Sequence, residues 1–222
     1  MSKKNERRYM ARKPLILSNK LVREAETHLS QSCKVMAQLV TLHGACKLAR
    51  SKFPPFQSLV ISIISQQLSS KAAKTIRRRV MEVVPDFSPN GFLRVSFIAL
   101  RKAGLSSAKA RYIFELAKRV SDGRVNFDSI KYQSDENVIA TLTNLPGVGR
   151  WTSEMFLIFS LKRPDVLALG DAGLQRSARL LYGEGIHLEN VGRLWKPYRS
   201  VASWYLWRHL DAPGAAGRGK EN

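Results

Sequence analysis

Apolar residues recur along most of the chain at the spacing of an amphipathic α-helix. In segment 54–67, six positions spaced three or four residues apart fall on one helical face: Phe56, Leu59, Val60, Ile63, Ile64 and Gln67. This spacing predicts a helix that buries one side. It predicts four more helices, at 106–120, 150–160, 174–181 and 201–208. Because no stretch alternates long enough for a sheet, we predict an all-α fold with short loops.

The segment LPGVG, at 145–149, connects two predicted helices, 135–144 and 150–160. Its glycines permit a tight turn and leave backbone N–H groups uncovered where the second helix begins. Such N–H groups, together with the partial positive charge of a helix N-terminus, suit a phosphate. Arg150 adds a full charge and Thr152 a hydroxyl donor. The predicted phosphate-binding residues are therefore Gly147, Val148, Gly149, Arg150 and Thr152. A plain corner between two helices is the structural alternative.

The composition indicates one class of partner and excludes several kinds of site and one other partner. Lys and Arg total 37 against 17 Asp and Glu, which gives a net charge of +20 and favours a polyanionic partner such as nucleic acid. Two cysteines, Cys33 and Cys46, cannot form a disulfide framework or a four-cysteine iron–sulfur site. No apolar run approaches 18 residues, so no membrane partner is expected. We expect an intracellular, DNA-associated protein of the bacterial cytoplasm or the nucleus.

An aspartate, Asp171, immediately precedes the amphipathic helix predicted at 174–181. Its structural alternative is a helix N-cap, and the two roles are compatible. N–H donors at a helix start would stabilise the charged carboxylate. A fixed carboxylate beside a deoxyribose C1′ can stabilise the positive charge that develops as an N-glycosidic bond breaks, and can orient a water for attack.

The segment LPGVG resembles the helix-hairpin-helix element of the base-excision DNA glycosylases. Three further stretches, at 56–73, 103–113 and 195–210, resemble the 3-methyladenine DNA glycosylase II branch. The resemblance implies an all-α, two-lobed fold with a DNA-binding cleft between the lobes. In that superfamily a loop rich in Gly and Pro precedes an essential Asp. Here Pro164 and Gly170 precede Asp171, and the resemblance implies that Asp171 is catalytic.

The resemblance also implies roles for residues around the hairpin. Trp151 occupies the position where bifunctional relatives carry a lysine that attacks C1′, so we expect hydrolysis by water and no lyase activity. The implied base pocket is Trp151, Tyr198, Met155 and Gln67, and the implied DNA wedge is Leu68 and Ser69. Similar hairpins hold a structural monovalent cation through main-chain carbonyls, here those of Thr143, Leu145 and Val148.

Two positions depart from the family pattern, and ordinary packing is the alternative for several others. Met155 stands where some relatives have Tyr, which leaves the lesion range open, because a thioether attracts a cation less than an aromatic face does. Ser69 stands where some relatives have a bulkier polar residue, which predicts a weaker wedge. Core packing is the structural alternative for Trp151, and for Tyr198 and Met155 it is as compatible with the sequence as a pocket role. Residues 66–69 are compatible with a helix end followed by a Ser N-cap.

These observations predict a basic arm at 1–15, a glycosylase domain at 16–211 and a tail at 212–222. Within the domain, an inserted lobe spans about 54–135, and a hairpin and catalytic lobe spans about 136–211. The predicted function is excision of alkylated purines, 3-methyladenine and 7-methylguanine, from double-stranded DNA by a monomer without a cofactor. The alternatives are a catalytically silent relative that binds abasic or distorted DNA and an accessory domain of a nuclease or recombination protein.

Overall fold

The structure is a computed structural model that describes residues 14–50 and 53–212. All regular elements in those residues are helical, which confirms the all-α prediction. A 3₁₀ turn spans Leu48–Arg50. The α-helices are α1 Asn19–Ser32, α2 Lys34–His43, α3 Pro55–Ser65, α4 Ser70–Val83, α5 Pro89–Arg94, α6 Phe97–Lys102, α7 Ser107–Ser121, α8 Phe127–Ile130, α9 Asp135–Thr143, α10 Arg150–Phe159, α11 Ala172–Tyr182, α12 Leu188–Arg193 and α13 Arg199–Leu210.

Serine side chains define where many of these helices begin. At six helix starts the hydroxyl accepts a hydrogen bond from a backbone N–H of the first turn: Ser18, Ser69, Ser88, Ser96, Ser106 and Ser134. Each such cap is worth about 0.5–2 kcal/mol relative to alanine. The short segments between apolar runs therefore encode the helix boundaries locally.

The helices pack in two groups around one continuous apolar core. In the first group, α3 packs against α4 and α7, and α7 also contacts α5 and α6. In the second, α13 packs against α1, α2 and α11. Helix α10 contacts α9 and α3 and so connects the hairpin region to the first group. The predicted lobe limits, about 54–135 and 136–211, stay a prediction.

The helices anticipated from apolar spacing are present, with one error at the end of α3. The helix predicted through position 67 ends at Ser65, and Gln67 adopts a positive φ of 55°. Gln67 is exposed, so its placement on the apolar face is wrong. A left-handed residue breaks the helical periodicity on which that placement depended.

The predicted arm at 1–15 and tail at 212–222 fall almost entirely outside the described residues. None of the helices within 14–50 and 53–212 is both long and apolar enough to cross a membrane. The two cysteines are free thiols, and burial of the Cys46 thiol raises its pKa to about 12.

Candidate functional site

The side chain of Asp171 caps helix α11 and is nearly covered by its surroundings. Its Oδ1 accepts a hydrogen bond of 2.8 Å from the backbone N–H of Leu174, so the N-cap interpretation is confirmed. The residue is 9% exposed. The backbone N–H of Asp171 itself donates to the carbonyl of Ala168, which closes the loop before the helix. The carboxylate is therefore held in one orientation at a helix N-terminus.

Two indole rings complete the hydrogen bonding of this carboxylate. Trp151 Nε1 on α10 donates to Asp171 Oδ2 at 2.7 Å. Trp207 Nε1 on α13 donates to Oδ1 at 3.0 Å. Three N–H groups from three helices thus converge on one carboxylate, and hydrogen bonds to a charged group are among the strong ones in proteins. The arrangement fixes a carboxylate at the N–H edge of the Trp151 indole.

Trp207 is the residue of this cluster that sequence reasoning missed. It lies in the stretch 195–210, which was singled out for its resemblance, but no pattern within the stretch distinguishes Trp207 from Trp204. Its ring packs against Phe159, with the ring centroids 5.6 Å apart. Gly173 also lies against it, because a Cβ at that position would be 3.4 Å from the Trp207 ring. Only the crossing of α13 over α11 brings its N–H to Asp171.

The hairpin at 145–149 is a tight turn anchored by buried apolar side chains. Leu145 and Val148 are buried, and the N–H of Val148 donates to the carbonyl of Leu145 at 3.1 Å. Gly147 has a positive φ of 75°, and a Cβ there would lie 2.0 Å from the ring of Tyr112. Glycine is required at this position by both its backbone conformation and this close approach.

The end of the hairpin leaves an accessible helix N-terminus. Gly149 caps α10 with no side-chain hydrogen bond, and a Cβ at Gly149 would meet no atom within 4 Å. The start of α10 is therefore uncovered at Gly149 and Arg150, which are both exposed, and this leaves room for an approaching phosphate. The phosphate contact itself stays a prediction.

Arg150 and Thr152 are placed differently from each other. Arg150 is exposed, and its guanidinium forms ion pairs with Glu136 at 3.3 Å and Glu154 at 3.1 Å. The pair with the exposed Glu136 is a surface ion pair, which contributes little, so a phosphate can compete for that side of the guanidinium. The hydroxyl of Thr152 is buried and accepts a hydrogen bond from Gln66. Accepting this bond leaves the proton of the hydroxyl available for donation, and its predicted contact with phosphate stays a prediction.

One further carboxylate lies near the hairpin. Glu154 is buried on α10 and is paired on one side with Arg150. Burial raises the pKa of its carboxyl above the ordinary value of 4.5, and the neighbouring Arg150 only partly opposes this effect. The negative charge of the nearby Asp171 also contributes to the rise in the pKa of Glu154.

The loop that follows α3, residues 66–69, is named here the wedge loop. Leu68 is 37% exposed, and Ser69 is exposed and caps α4 by accepting from the N–H of Ala72. The helix end and the Ser N-cap are therefore confirmed as local structure, and they are compatible with a wedge. Gln67 projects from the same exposed loop, whereas Gln66 is half-buried and points its amide toward the hairpin.

The remaining residues of the predicted base pocket are less accessible than expected. Met155 is 5% exposed and belongs to the core, so it offers almost no surface to a base. Tyr198 is half-buried at the start of α13, and its ring edge contacts His28 with centroids 5.4 Å apart. A contact between Tyr198 and a bound base stays a prediction. Trp151 is half-buried and contacts Asp171 directly.

The described residues contain no group of three or more His, Cys, Asp or Glu side chains that could hold a metal ion.

The cation site predicted at the hairpin would use main-chain carbonyls instead of side chains. The carbonyl of Leu145 already accepts the N–H of Val148, and a carbonyl oxygen has two lone pairs. The carbonyl of Leu145 thus keeps a lone pair for a cation, and a cation held by the carbonyls of Thr143, Leu145 and Val148 stays a prediction.

Comparison with known proteins gives this arrangement a context. A family model described as the HhH-GPD superfamily base excision DNA repair protein matches residues 60–189, which include the wedge loop, the hairpin and Asp171. DNA-3-methyladenine glycosylase 1 of Schizosaccharomyces pombe is 32% identical over 196 residues, which cover 83% of this chain and 86% of that protein.

Two solved structures share the fold. The DNA-3-methyladenine glycosidase of Bacillus halodurans is 42% identical with a TM-score of 0.68, over 85% of this chain and 89% of that one. The 3-methyladenine DNA glycosylase of Schizosaccharomyces pombe, solved in complex with abasic DNA, is 30% identical with a TM-score of 0.77. That match covers 86% of this chain and 98% of the other.

Proposed function

This chain belongs to the HhH-GPD superfamily of base excision DNA repair proteins, and we propose that it is a monofunctional DNA-3-methyladenine glycosylase. Its relatives named DNA-3-methyladenine glycosylase support glycosylase activity in general. The observation that carries the proposal is the carboxylate of Asp171, fixed by three N–H donors and in contact with the indole of Trp151. The proposed substrates are 3-methyladenine and 7-methylguanine in double-stranded DNA.

The proposed reaction is hydrolysis of the N-glycosidic bond. An alkylated purine carries a formal positive charge, so the electron pair of the breaking bond leaves with the base and neutralises it. No general acid is needed for this departure. Positive charge develops on the sugar, and the Asp171 carboxylate stabilises it electrostatically. The oxygen of a water molecule then bonds to C1′, its proton passes to solvent, and an abasic site remains.

Trp151 supports both the choice of substrate and the absence of a lyase step. An indole face attracts a cationic base through a cation–π interaction, and its N–H group simultaneously orients Asp171. An indole has no amine with which to form a Schiff base at C1′. DNA binding would place phosphates at the N-terminus of α10 and beside Arg150, which agrees with the charge of +20.

The direct test is a single-turnover assay of base release from duplex DNA that contains 3-methyladenine. The wild-type protein should release the base, and Asp171→Asn should slow release by at least about a hundredfold, the size of effect seen when one fixed electrostatic group is lost. Asp128→Asn removes an exposed carboxylate by the same chemical change and should leave the rate unaltered. Borohydride should trap no protein–DNA adduct.

A second candidate is a relative that binds abasic or distorted DNA without excision. It is favoured by the burial of Met155 and by the small exposed fraction of Asp171, whose two oxygens both accept hydrogen bonds. Under this alternative neither the wild-type protein nor Asp171→Asn releases any base, while both prefer an abasic analogue over undamaged duplex. Released base that depends on Asp171 decides in favour of the enzyme.

A further inference from the structure

A lysine from another helix holds the backbone of the wedge loop. Lys109, in the first turn of α7, donates from Nζ to the carbonyl of Ile64 at 2.8 Å and to the carbonyl of Gln66 at 2.7 Å. The last carbonyls of a helix have no partner within it. The ammonium of Lys109 therefore caps the C-terminus of α3 at the point where the chain turns into the wedge loop.

The amide of Gln66 connects the wedge loop to the hairpin. Its Nε2 donates to the carbonyl of Gly147 at 2.8 Å and to the hydroxyl of Thr152 at 2.9 Å. Both hydrogens of the amide are thereby used. Gly147 lies within the hairpin, and Thr152 lies in the first turn of α10, whose N-cap residue Gly149 is exposed. One side chain thus spans from residue 66 to both parts of the proposed phosphate site.

The surroundings make these bonds stronger than typical surface contacts. Gln66 is half-buried and Thr152 is buried, and burial lowers the pKa of the Lys109 ammonium. Hydrogen bonds in such surroundings are screened less by water and salt. Tyr112, also on α7, packs its ring against Gly147 and so connects α7 to the hairpin.

The tip of the wedge loop contrasts with its base. Gln67, Leu68 and Ser69 are exposed, whereas the backbone at residue 66 is held from two sides by Lys109 and by its own side chain. The loop is therefore a fixed base that carries an exposed tip.

We propose that Gln66 and Lys109 are positioning residues that set the distance between the wedge loop and the phosphate-binding hairpin. The proposal rests on the proposed function only in requiring that both segments contact DNA. A duplex bound at the hairpin then meets the tip of the wedge loop at a fixed spacing. Because the base of the loop is already ordered, filling the gap beside an extruded nucleotide costs less conformational entropy. Neither residue touches the reacting atoms in this scheme.

The test uses a duplex that carries an abasic analogue flanked by 2-aminopurine, whose fluorescence rises when the wedge unstacks it. Gln66→Met and Lys109→Met keep side-chain length and remove the donors. Each should lower the preference for abasic over undamaged duplex by about tenfold, the effect of losing one or two net hydrogen bonds, and should suppress the fluorescence rise. Affinity for undamaged duplex should change by less than about twofold, because the N-terminus of α10 is untouched.

Two matched variants separate positioning from loss of charge or folding. Lys118→Met removes the same charge from an exposed position on the same helix and should keep the wild-type preference. Lys109→Arg can still donate to both carbonyls and should restore at least half of the fluorescence rise. If a methionine variant folds poorly, Thr152→Val alone removes one acceptor of the Gln66 amide from the hairpin side, and it should lower both the preference for abasic duplex and the fluorescence rise.

The outcomes are decisive for this proposal and separate from those of the excision assay. Wild-type preference and fluorescence in Gln66→Met and Lys109→Met would overturn it, and so would equal weakening of abasic and undamaged binding, which would indicate a merely structural role. Because no base needs to be released, a protein that binds abasic DNA but excises nothing contradicts only the proposed function.

Discussion

Replacement of Trp207 with phenylalanine tests whether the three-donor arrangement around Asp171 matters. The substitution removes the indole N–H, which lies 3.0 Å from Asp171 Oδ1, and leaves a smaller aromatic ring on the same backbone position. That ring can still pack against Phe159. Asp171 retains the hydrogen bonds from Leu174 and Trp151. The change therefore isolates one donor rather than the whole cluster.

The size of the effect follows from the burial of the carboxylate. A hydrogen bond to a charged group contributes about 1.5–3 kcal/mol net, and Asp171 is too covered for water to replace the lost donor fully. We expect the free energy of unfolding to fall by about 2 kcal/mol. The single-turnover rate of base release should fall by about tenfold, since a carboxylate held by two donors is oriented less strictly.

The measurements are urea unfolding and base release, each compared with Trp204→Phe. Trp204 lies on the same helix and packs edge-on against Tyr205, so its replacement shrinks a ring by the same amount without affecting Asp171. Equal destabilisation by the two variants, within about 0.5 kcal/mol, would refute the claim that the bond to Asp171 is energetically important. An unchanged release rate would refute the positioning argument.

Three further predictions concern the hairpin glycines, Glu154 and the two cysteines. Gly147→Ala should lower the free energy of unfolding by at least about 2 kcal/mol, because of its positive φ and the Tyr112 ring, whereas Gly149→Ala should unfold close to wild type and lose DNA affinity. Since burial raises the pKa of Glu154, the folded state holds this proton more tightly than the unfolded chain does. Wild-type stability should therefore fall relative to Glu154→Gln as pH rises above 4.5, which urea unfolding at pH 4.5 and 7 can check. A thiol reagent at pH 8 should label Cys33 well before Cys46, whose pKa is about 12; equal rates would contradict this.

Local features of this protein were readable from its sequence because they depend on residues close together in the chain. The periodicity of apolar residues predicted helices near the observed Ser107–Ser121 and Ala172–Tyr182, and the hairpin at 145–149 was recognisable from its glycines. The N-cap role of Asp171 involves an N–H only three residues away. Such signals need no knowledge of the path of the chain.

Only the tertiary structure decided which distant groups form hydrogen bonds with these residues. Asp171 accepts from indoles 20 and 36 residues away in sequence, and Gln66 reaches a carbonyl 81 residues away. Of two adjacent glutamines, the left-handed turn at Gln67 exposes Gln67 and leaves Gln66 half-buried, whereas helical periodicity placed Gln67 on the apolar face. A hydrogen bond requires two groups at about 3 Å, and only the packing of whole helices brings such distant groups that close.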